Sequence, residues 1–308
     1  MSGTANIRYL TNQQIDKNKW DNCIEKAGNG LIYGFSFYLD QMAKNWDALV
    51  LNDYEAVMPL TWNKKYGIHY LYQPFLTAQL GLFGNNINSE ILELFLKAIP
   101  AKFQYWDIYL NHENVFALEK FNLYQRSNYV LSLNKSYDQL YSNYRENIQR
   151  NIKKALQAGC TVQKDFEAEK VIELAVAQMK SHTIESKENI DRFRKLYQYL
   201  HERKMATTYG ILSAQNELLA TCVFFFSHNR AYYILVGNHP NGKTIGASHF
   251  LIDRFISEHE EKKLLLDFEG SDIRNLAFFY SSFGAIVETY PALHLNRLPW
   301  WAKVFKKI

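Results

Sequence analysis

The stretch TTYGILSAQNELLATCVFFFS, residues 207–227, indicates the fold class of the chain. Two runs rich in β-branched and aromatic residues are separated by Gln215 and Asn216, which is typical of two antiparallel strands joined by a turn. A segment containing Gly and Asn follows, and residues 241–256 then carry apolar side chains at helical spacing. The apolar run at 263–270 indicates another strand. This order of elements predicts an α/β domain with a mixed sheet and helices on its faces.

The same order of elements recurs in the first half of the chain. Residues 47–67 predict a hairpin that turns at Asn52 and Asp53, residues 84–99 predict a helix, and residues 103–110 predict a strand. Mixed α/β chains also offer such matches by chance. Because the spacing between corresponding elements agrees along the chain, we favour an internal duplication.

The boundary between the two halves is predicted from one helical segment. Residues 137–159 show helical periodicity and end at Gly159, a suitable C-cap residue. The predicted domains are therefore 1–135 and 136–308, with this bridging helix at the start of the second domain.

The composition is that of a globular protein. The chain has 308 residues, of which 47% are hydrophobic and 21% charged, so it can bury one large or two medium cores. The formal net charge of +4 suits an anionic ligand but is small for a dedicated nucleic-acid binder. Cys23, Cys160 and Cys222 form no C-x-x-C pair, and no His and acidic residues stand at metal-ligand spacing. We therefore expect neither a disulfide framework nor a metal site.

The two terminal segments and the lengths of the apolar runs predict where in the cell the protein is located. Residues 1–14 lack a basic and then apolar signal, and no apolar run is long enough for a bilayer, so we expect a cytoplasmic protein. The tail at 295–308 is typical of a short interfacial anchor, which predicts weak contact with a membrane surface. Packing of its tryptophans onto the domain is the favoured alternative. The apolar face of the tail comprises Trp301, Phe305 and Ile308.

A Gly-containing turn between a strand and a helix is the candidate ligand-binding loop. It lies within VGNHPNGKTIGASHFLIDRFI, residues 236–256. Unpaired backbone N–H groups and the positive end of a helix favour phosphate oxygens, and small residues let the backbone approach them. An ordinary strand-to-helix turn is the alternative. The candidate binding residues are Gly237, Asn238, Asn241, Gly242, Lys243, Thr244, Ile245, Gly246 and Ala247.

Two carboxylates at the end of an apolar strand are the candidate bases. In LLLDFEGSDIRNLAFFYSSFGA, residues 264–285, strand alternation places Asp267 and Glu269 on the same face. If that face lines a cleft, burial raises the pKa of either carboxyl group and suits it to proton abstraction. A helix cap at Asp267, or its ion pair with a cation such as Arg274, is the alternative.

These motifs resemble those of the GNAT N-acyltransferases. Their loop pattern is Arg/Gln-x-x-Gly-x-Gly/Ala; Asn241 and Thr244 stand at its first two key positions, and Gly246 matches the third. GNAT proteins also carry a Tyr four residues before a Gly that starts the last strand, and Tyr280 stands four before Gly284. The resemblance implies an acyl-CoA donor in the loop and Tyr280 as the acid for the departing thiolate. Aromatic packing is the alternative role for Tyr280.

The whole chain more closely resembles the FemABX family, whose members have two GNAT-like halves and acylate amines, including peptidoglycan precursors. The duplication, the basic bridging helix and the segment DFEG…FFYSSFGA carry this resemblance. It implies tandem GNAT-like acyl-CoA N-acyltransferase domains. Phe279-Tyr280 stands where many members have Phe-Lys, and residues 165–205 are too short for the coiled-coil insertion of the tRNA-dependent members. We therefore do not expect tRNA as a partner.

The predicted function is direct transfer of an acyl or aminoacyl group from acyl-CoA to a primary amine, carried by a small molecule or a cell-envelope precursor. Arg145 and Arg150 on the bridging helix are predicted to contact an anionic group, with a solvated helix face as the alternative. No Cys or Ser stands in a recognisable triad, which argues against a covalent acyl-enzyme. Two other hypotheses remain: a non-catalytic binding module with a degenerate loop, and an aminoacyl-tRNA-dependent transferase.

Overall fold

The chain divides into two compact units. In a computed structural model that describes residues 6–179, 185–270 and 272–298, the first unit comprises Met1–Arg126 and Thr289–Ile308, and the second comprises Ser127–Glu288. Most of the tail predicted to contact membranes, residues 299–308, lies outside the described residues, so that contact stays a prediction.

The first unit is a mixed sheet with helices. Strands β1 to β4 pair antiparallel in chain order, β5 pairs with β3, and β4 pairs parallel with β6. The predicted hairpin at 47–67 is β2 and β3. The strands are β1 (Ile7–Leu10), β2 (Asn45–Leu51), β3 (Ala56–Lys65), β4 (Ile68–Leu71), β5 (Phe83–Gly84) and β6 (Phe103–Tyr109), and the helices are α1 (Lys17–Lys26), α2 (Ser36–Met42) and α3 (Ser89–Ala98).

The second unit repeats this order of pairing. Strands β8 to β11 pair antiparallel in chain order, β11 pairs parallel with β12, and β12 pairs antiparallel with β7. The opening stretch at 207–227 is the hairpin of β9 and β10. The strands are β7 (Tyr124–Ser132), β8 (Thr161–Lys164), β9 (Ala206–Leu212), β10 (Leu218–Ser227), β11 (Arg230–Asn238) and β12 (Leu265–Asp267). The helices are α4 (Tyr137–Ser142), α5 (Glu146–Gln157), α6 (Ala168–Met179), α7 (Lys187–Glu202), α8 (Pro240–Ile245), α9 (Ala247–Glu258) and α10 (Arg274–Ser281).

The strand next to β6 and the strand next to β12 each come from the other part of the sequence. Strand β13 (Ile286–Asn296) follows the second unit in the chain, yet it pairs antiparallel with β6 in the first. Strand β7 follows β6 in the chain, yet it pairs with β12 in the second. In each unit, antiparallel strands therefore follow one another in chain order, and the last of them pairs parallel with a further strand. That further strand pairs antiparallel with a strand from the other part of the sequence. The predicted mixed α/β fold with a tandem repeat is therefore confirmed.

The predicted bridging helix at 137–159 is two helices, α4 and α5. The break lies at 143–145, where the Arg145 N–H donates to the Ser282 carbonyl oxygen at 2.9 Å instead of continuing the helical ladder. Arg145 has extended backbone angles and becomes the N-cap of α5. A contact with a residue far away in the sequence causes the break, so helical periodicity alone does not indicate it.

The core of the second unit lies between its sheet and the helices α5, α9 and α10. Helix α5 buries Ile148 and Ile152, and α9 buries Phe255, whose ring stacks on Phe224 of β10 with centroids 3.8 Å apart. Phe268, directly after β12, belongs to the same core. Burial of these large apolar side chains stabilises the sheet by roughly 1.5–3 kcal/mol for each side chain. This packing fixes the helices that surround the end of β11.

None of the helices in the described ranges is long and apolar enough to cross a membrane.

Candidate active site

A cleft of about 420 Å³ opens in the second unit at the end of β11. The parallel pairing of β11 with β12 reaches only to Tyr232 opposite Asp267, whereas β11 stays paired with β10 as far as Asn238. The opening therefore lies on the side of β11 that β12 no longer covers. Its polar and aromatic lining residues include Tyr233, Asn238, Lys243, Ser248, His249 and Tyr280.

The edge of β11 gives this cleft backbone hydrogen-bonding groups. In a strand that is paired on one side, alternate N–H and C=O groups point to the other side and can bind an extended ligand. One of them is already used, because the Asn238 N–H donates to Gln178 Oε1 at 2.7 Å. The remaining edge suits a ligand that contains amide groups.

The predicted binding loop is a short helix followed by a sharp corner. Helix α8 occupies residues 240–245, and the Gly246 N–H closes it by donating to the Gly242 carbonyl oxygen. The His239 ring caps the start of α8, because its Nδ1 accepts from the Asn241 N–H at 3.3 Å. Helix α9 then begins at Ala247. Some of the backbone N–H groups that we expected to be free for a ligand therefore form hydrogen bonds within α8 or to its cap.

Gly246 is required at the corner between α8 and α9. Its φ of +78° lies in the left-handed region, and a Cβ there would stand 2.6 Å from the Asn151 carbonyl oxygen of α5. Gly242 also allows a close approach, since a Cβ would stand 2.2 Å from the Leu219 carbonyl oxygen. The glycines of this segment thus bring α8 close to β10 and the corner close to α5.

The predicted binding residues fall into two groups. Asn238 and Lys243 line the cleft. The others shape the backbone around it: Gly237 packs on α6, and the Thr244 carbonyl oxygen accepts from Lys154 Nζ of α5 at 2.5 Å. Asn241, Gly242, Thr244 and Ile245 lie on α8, Gly246 is its C-cap, and Ala247 begins α9.

Tyr280 lies in the cleft wall and is almost completely buried. Its ring stacks on Phe268, with centroids 4.7 Å apart, and is also close to Tyr129 and Phe279. Burial and the nearby Glu269 carboxylate raise the pKa of Tyr280 above its usual range, so the phenol keeps its proton at neutral pH. Tyr280 thus combines aromatic packing with a position in the cleft wall. The sequence offered packing and the role of an acid as alternatives, and this position is compatible with both.

Asp267 lies in a buried ion-pair network. It is 2% exposed, and its carboxylate accepts from Arg230 Nη1 at 2.7 Å and from Asn128 Nδ2 at 3.0 Å. Arg230 also pairs with Glu288 through two hydrogen bonds of 2.9 Å. The cation beside Asp267 is therefore Arg230, from the neighbouring strand. Since the flanking Leu266 and Phe268 face the core that contains Tyr280, Asp267 points to the opposite side of the sheet.

Glu269 does not continue the strand alternation. Strand β12 ends at Asp267, and Glu269 has a φ of +66°, a left-handed conformation that costs a non-Gly residue free energy and is enriched at functional sites. The Glu269 N–H donates to Asp267 Oδ1 at 2.9 Å, which holds this turn. The carboxylate of Glu269 lies close enough to Tyr280 to affect its pKa. The structure therefore brings Glu269, and not Asp267, near Tyr280.

The predicted anion-binding arginines lie on the exposed side of α5. The Arg145 guanidinium lies over the Phe278 ring, 4.7 Å from its centroid. Arg150 shares a surface concavity of about 530 Å³ with Lys153 and Lys154. Because Lys154 also contacts the Thr244 carbonyl oxygen, this basic surface adjoins α8.

His249 is a cleft residue that sequence patterns do not single out. It lies on the first turn of α9, and Nε2 is 3.3 Å from Asn151 Nδ2 of α5. Burial lowers the pKa of His249 to about 4, so the ring is neutral at pH 7. The only available signal was a His soon after the glycine of the loop, because its partner Asn151 is far away in the sequence. His239, which also lies near this segment, caps α8.

In the described ranges, no group of three or more His, Cys, Asp or Glu side chains can hold a metal ion. Cys23, Cys160 and Cys222 are buried free thiols.

Part of the second unit matches a known protein family. Residues 142–272 match the model of the acetyltransferase (GNAT) domain family. Comparison with curated proteins finds no match. Among solved structures, FemX superposes with a TM-score of 0.66 at 14% identity, covering 97% of this chain and 100% of FemX.

Two further structures resemble the whole chain. L-PGS from Bacillus licheniformis has a TM-score of 0.56 at 11% identity, covering 94% of this chain and 95% of its own. The C-terminal domain of a putative lysylphosphatidylglycerol synthetase from Agrobacterium fabrum has a TM-score of 0.54 at 8% identity, covering 94% of both chains. At such identities the likeness shows the fold. Residues 142–272 therefore match the GNAT domain, and the chain as a whole has a fold similar to that of FemX.

Proposed function

We propose that the cleft of the second unit catalyses direct transfer of an acyl group from acyl-CoA to a primary amine. The GNAT domain and the fold support acyl or aminoacyl transfer as the general class of reaction. The observation that carries the proposal is the meeting of three features in one cleft: the open edge of β11, the start of α9 and the buried phenol of Tyr280.

The donor lies along β11 in this proposal. Amide groups of its pantetheine arm pair with the strand edge, as an added strand would. Its phosphates face the corner at Gly246, where the start of α9 and the ammonium group of Lys243 attract negative charge. Arg150, Lys153 and Lys154 supply further positive charge beside α8. Arg145 belongs to the same helix and extends this basic surface.

Two groups near the reacting carbonyl can move protons. The attacking ammonium must lose a proton before its nitrogen forms the new bond, and we assign this step to Glu269. The departing thiolate must gain a proton, and we assign this step to Tyr280, whose buried phenol is protonated at neutral pH. After the amide bond has formed, the second proton from the nitrogen restores Tyr280, and Glu269 releases the first proton to water. Asp267 is excluded from this assignment by its ion pair with Arg230.

Thermal unfolding with a panel of acyl-CoAs tests donor binding. A ligand present at about 100 times its Kd adds roughly 2.7 kcal/mol to the free energy of unfolding. We expect an upward shift of Tm with acyl-CoA. If no acyl-CoA shifts the Tm, the proposed donor is wrong.

The variant Tyr280→Phe tests the acid. We expect a loss of kcat with little change in acyl-CoA affinity, because only the hydroxyl is removed while the ring still stacks on Phe268. The matched control is Tyr129→Phe, which alters a neighbouring ring beside Tyr280. Equal kcat in both variants and the wild type would remove Tyr280 from the mechanism.

An aminoacyl-tRNA donor is the second candidate, and the basic surface of α5 favours it. Phosphate contacts with these side chains would make binding strongly salt-dependent. Binding of charged tRNA, but of no acyl-CoA, that weakens steeply with salt would support this donor. The acceptor amine, the cytoplasmic location and the absence of a metal stay predictions.

A further inference from the structure

His249 combines three properties that no other part of the proposed mechanism explains. Its ring forms part of the cleft wall together with Tyr280 and Lys243. It packs edge-on against Phe279, with centroids 5.0 Å apart. Its Nδ1 atom is buried and has no hydrogen-bond partner among the described residues. A buried polar atom without a partner costs about 1–3 kcal/mol, so such an atom in a cleft wall points to a role in binding.

The neighbouring amide determines which ring nitrogen carries the proton. Asn151 Nδ2 stands 3.3 Å from His249 Nε2, and an amide nitrogen donates hydrogen bonds but does not accept them. Nε2 is therefore the acceptor. Because the ring is neutral, its single proton lies on Nδ1. The buried atom without a partner is thus a donor, and its missing partner must be an acceptor such as a carbonyl oxygen.

Asn151 is itself held in place. Its carbonyl oxygen and Cβ lie directly against Gly246, and the closeness of α5 to that corner depends on the missing Cβ of the glycine. The amide that fixes the His249 tautomer is therefore part of the same packing that positions the start of α9.

We propose that the Nδ1–H of His249 donates a hydrogen bond to the carbonyl oxygen of the transferred acyl group. This inference rests on the proposed acyl transfer and adds a residue to it. A neutral donor stabilises the negative charge that develops on that oxygen during attack by the amine. Since Nδ1 is covered before binding, the ring or a neighbouring cleft side chain shifts when the acyl group docks. Asn151 acts as a positioning residue that keeps the proton on Nδ1.

Binding and kinetics of His249→Phe test the contact in the full chain. The variant keeps an aromatic ring but lacks the donor, so we expect kcat to fall about 100-fold. Affinity for acyl-CoA should fall, whereas affinity for CoA, which has no acyl carbonyl, should stay within twofold. His249→Gln, which keeps an N–H donor, should recover part of kcat. An equal loss of affinity for CoA and acyl-CoA in His249→Phe would overturn the proposal.

Nitrogen NMR of the imidazole ring supplies a measurement that needs no ligand. We expect a proton on Nδ1 and none on Nε2 at pH 7 in the wild type, and a mixture of tautomers in Asn151→Ala. A proton on Nε2 in the wild type would overturn the inference even if acyl transfer is established. If the wild type binds neither CoA nor acyl-CoA, the proposed donor fails, and the observed tautomer still decides whether His249 is a donor.

Discussion

At the scale of single residues, the second unit relies on backbone positions that tolerate no side chain. At Gly246, the left-handed φ disfavours a Cβ, and the Asn151 carbonyl oxygen leaves no room for one. These two effects are separable, because Gly67 has a similar φ of +81° but no atom within 4 Å of the position that its Cβ would take. Gly67 therefore offers a control for the conformational cost alone.

We expect Gly246→Ala to destabilise the protein more than Gly67→Ala does. Both variants place an Ala in the left-handed region, which costs on the order of 1 kcal/mol. Gly246→Ala must also push α5 away from the corner, which adds roughly 1–3 kcal/mol of strain from overpacking. Urea unfolding of both variants measures the difference. Equal losses of the free energy of unfolding in the two variants would mean that α5 moves away from the corner without a measurable cost.

The ion pair of Arg230 with Asp267 gives another prediction at this scale. Arg230 is mostly buried and stands between two carboxylates. Loss of one partner from a buried pair costs about 3–5 kcal/mol, because the remaining charge is left without compensation. We expect Arg230→Met to lower the free energy of unfolding by about this amount, as measured in urea.

Asp267→Asn and Glu269→Gln separate the structural carboxylate from the proposed base. Asp267→Asn weakens hydrogen bonds from Arg230 and Asn128, so we expect a loss of stability of about 1–3 kcal/mol while kcat of the folded protein stays the same. Glu269→Gln should show the reverse, with kcat reduced and stability less affected. A fall in kcat for Asp267→Asn without a loss of stability would return Asp267 to the catalytic site.

Local patterns predict single residues unevenly. Alternation correctly separates Asp267 from Leu266 and Phe268, because side chains of a regular strand point alternately to its two faces. It does not indicate which face borders the cleft, and it ends at Glu269, where φ becomes positive. The contact of His249 with Asn151 joins two helices that are far apart in the sequence, and no local pattern reveals such a contact.

At the scale of elements, the small strand β12 depends on its neighbours. It has only three residues, and β11 and β7 pair with it on its two sides. Strand β7 also contributes Leu131 to the core of the second unit. A division of the chain after residue 135, as the sequence predicts, separates β7 from this unit. Strand β7 is therefore needed for the second unit, although it precedes the predicted boundary.

Two fragments test the role of β7. We expect the fragment 127–288 to unfold cooperatively on heating, because it contains six of the nine residues of β7, including those that pair with β12. The fragment 136–288 lacks β7, exposes the edge of β12 and loses apolar burial, so we expect it to aggregate. Calorimetry and the soluble fraction after expression measure both outcomes. Equal solubility and an equal Tm would show that β7 is dispensable.

Element predictions were most accurate where the signal was local. The hairpins of β2 with β3 and of β9 with β10 follow from runs of strand-forming residues around polar turns. The break between α4 and α5 was missed because it depends on the Ser282 carbonyl oxygen. The helical segment predicted at 241–256 is divided between α8 and α9, because Gly246 adopts a left-handed conformation between them.

At the scale of the whole molecule, the duplication was predictable because both halves repeat the same order of hydrophobic patterns. The structure confirms it through the same order of strand pairing in both units. Which sheet β7 and β13 would join was not predictable. Strands β7 and β13 occupy corresponding places in the sequence repeat, and hydrophobic patterns do not show which sheet a strand joins.

The placement of β13 has a consequence for the order of events during synthesis. Leu295 pairs with Trp106, and all of the second unit lies between them in the chain. A ribosome therefore completes the second unit before it makes the strand that closes the first sheet. Until then, the edge of β6 stays open to wrong partners, and a contact so distant in the sequence forms slowly. The part of β13 that pairs with β6 is thus made after the whole of the second unit, so the first sheet is completed last.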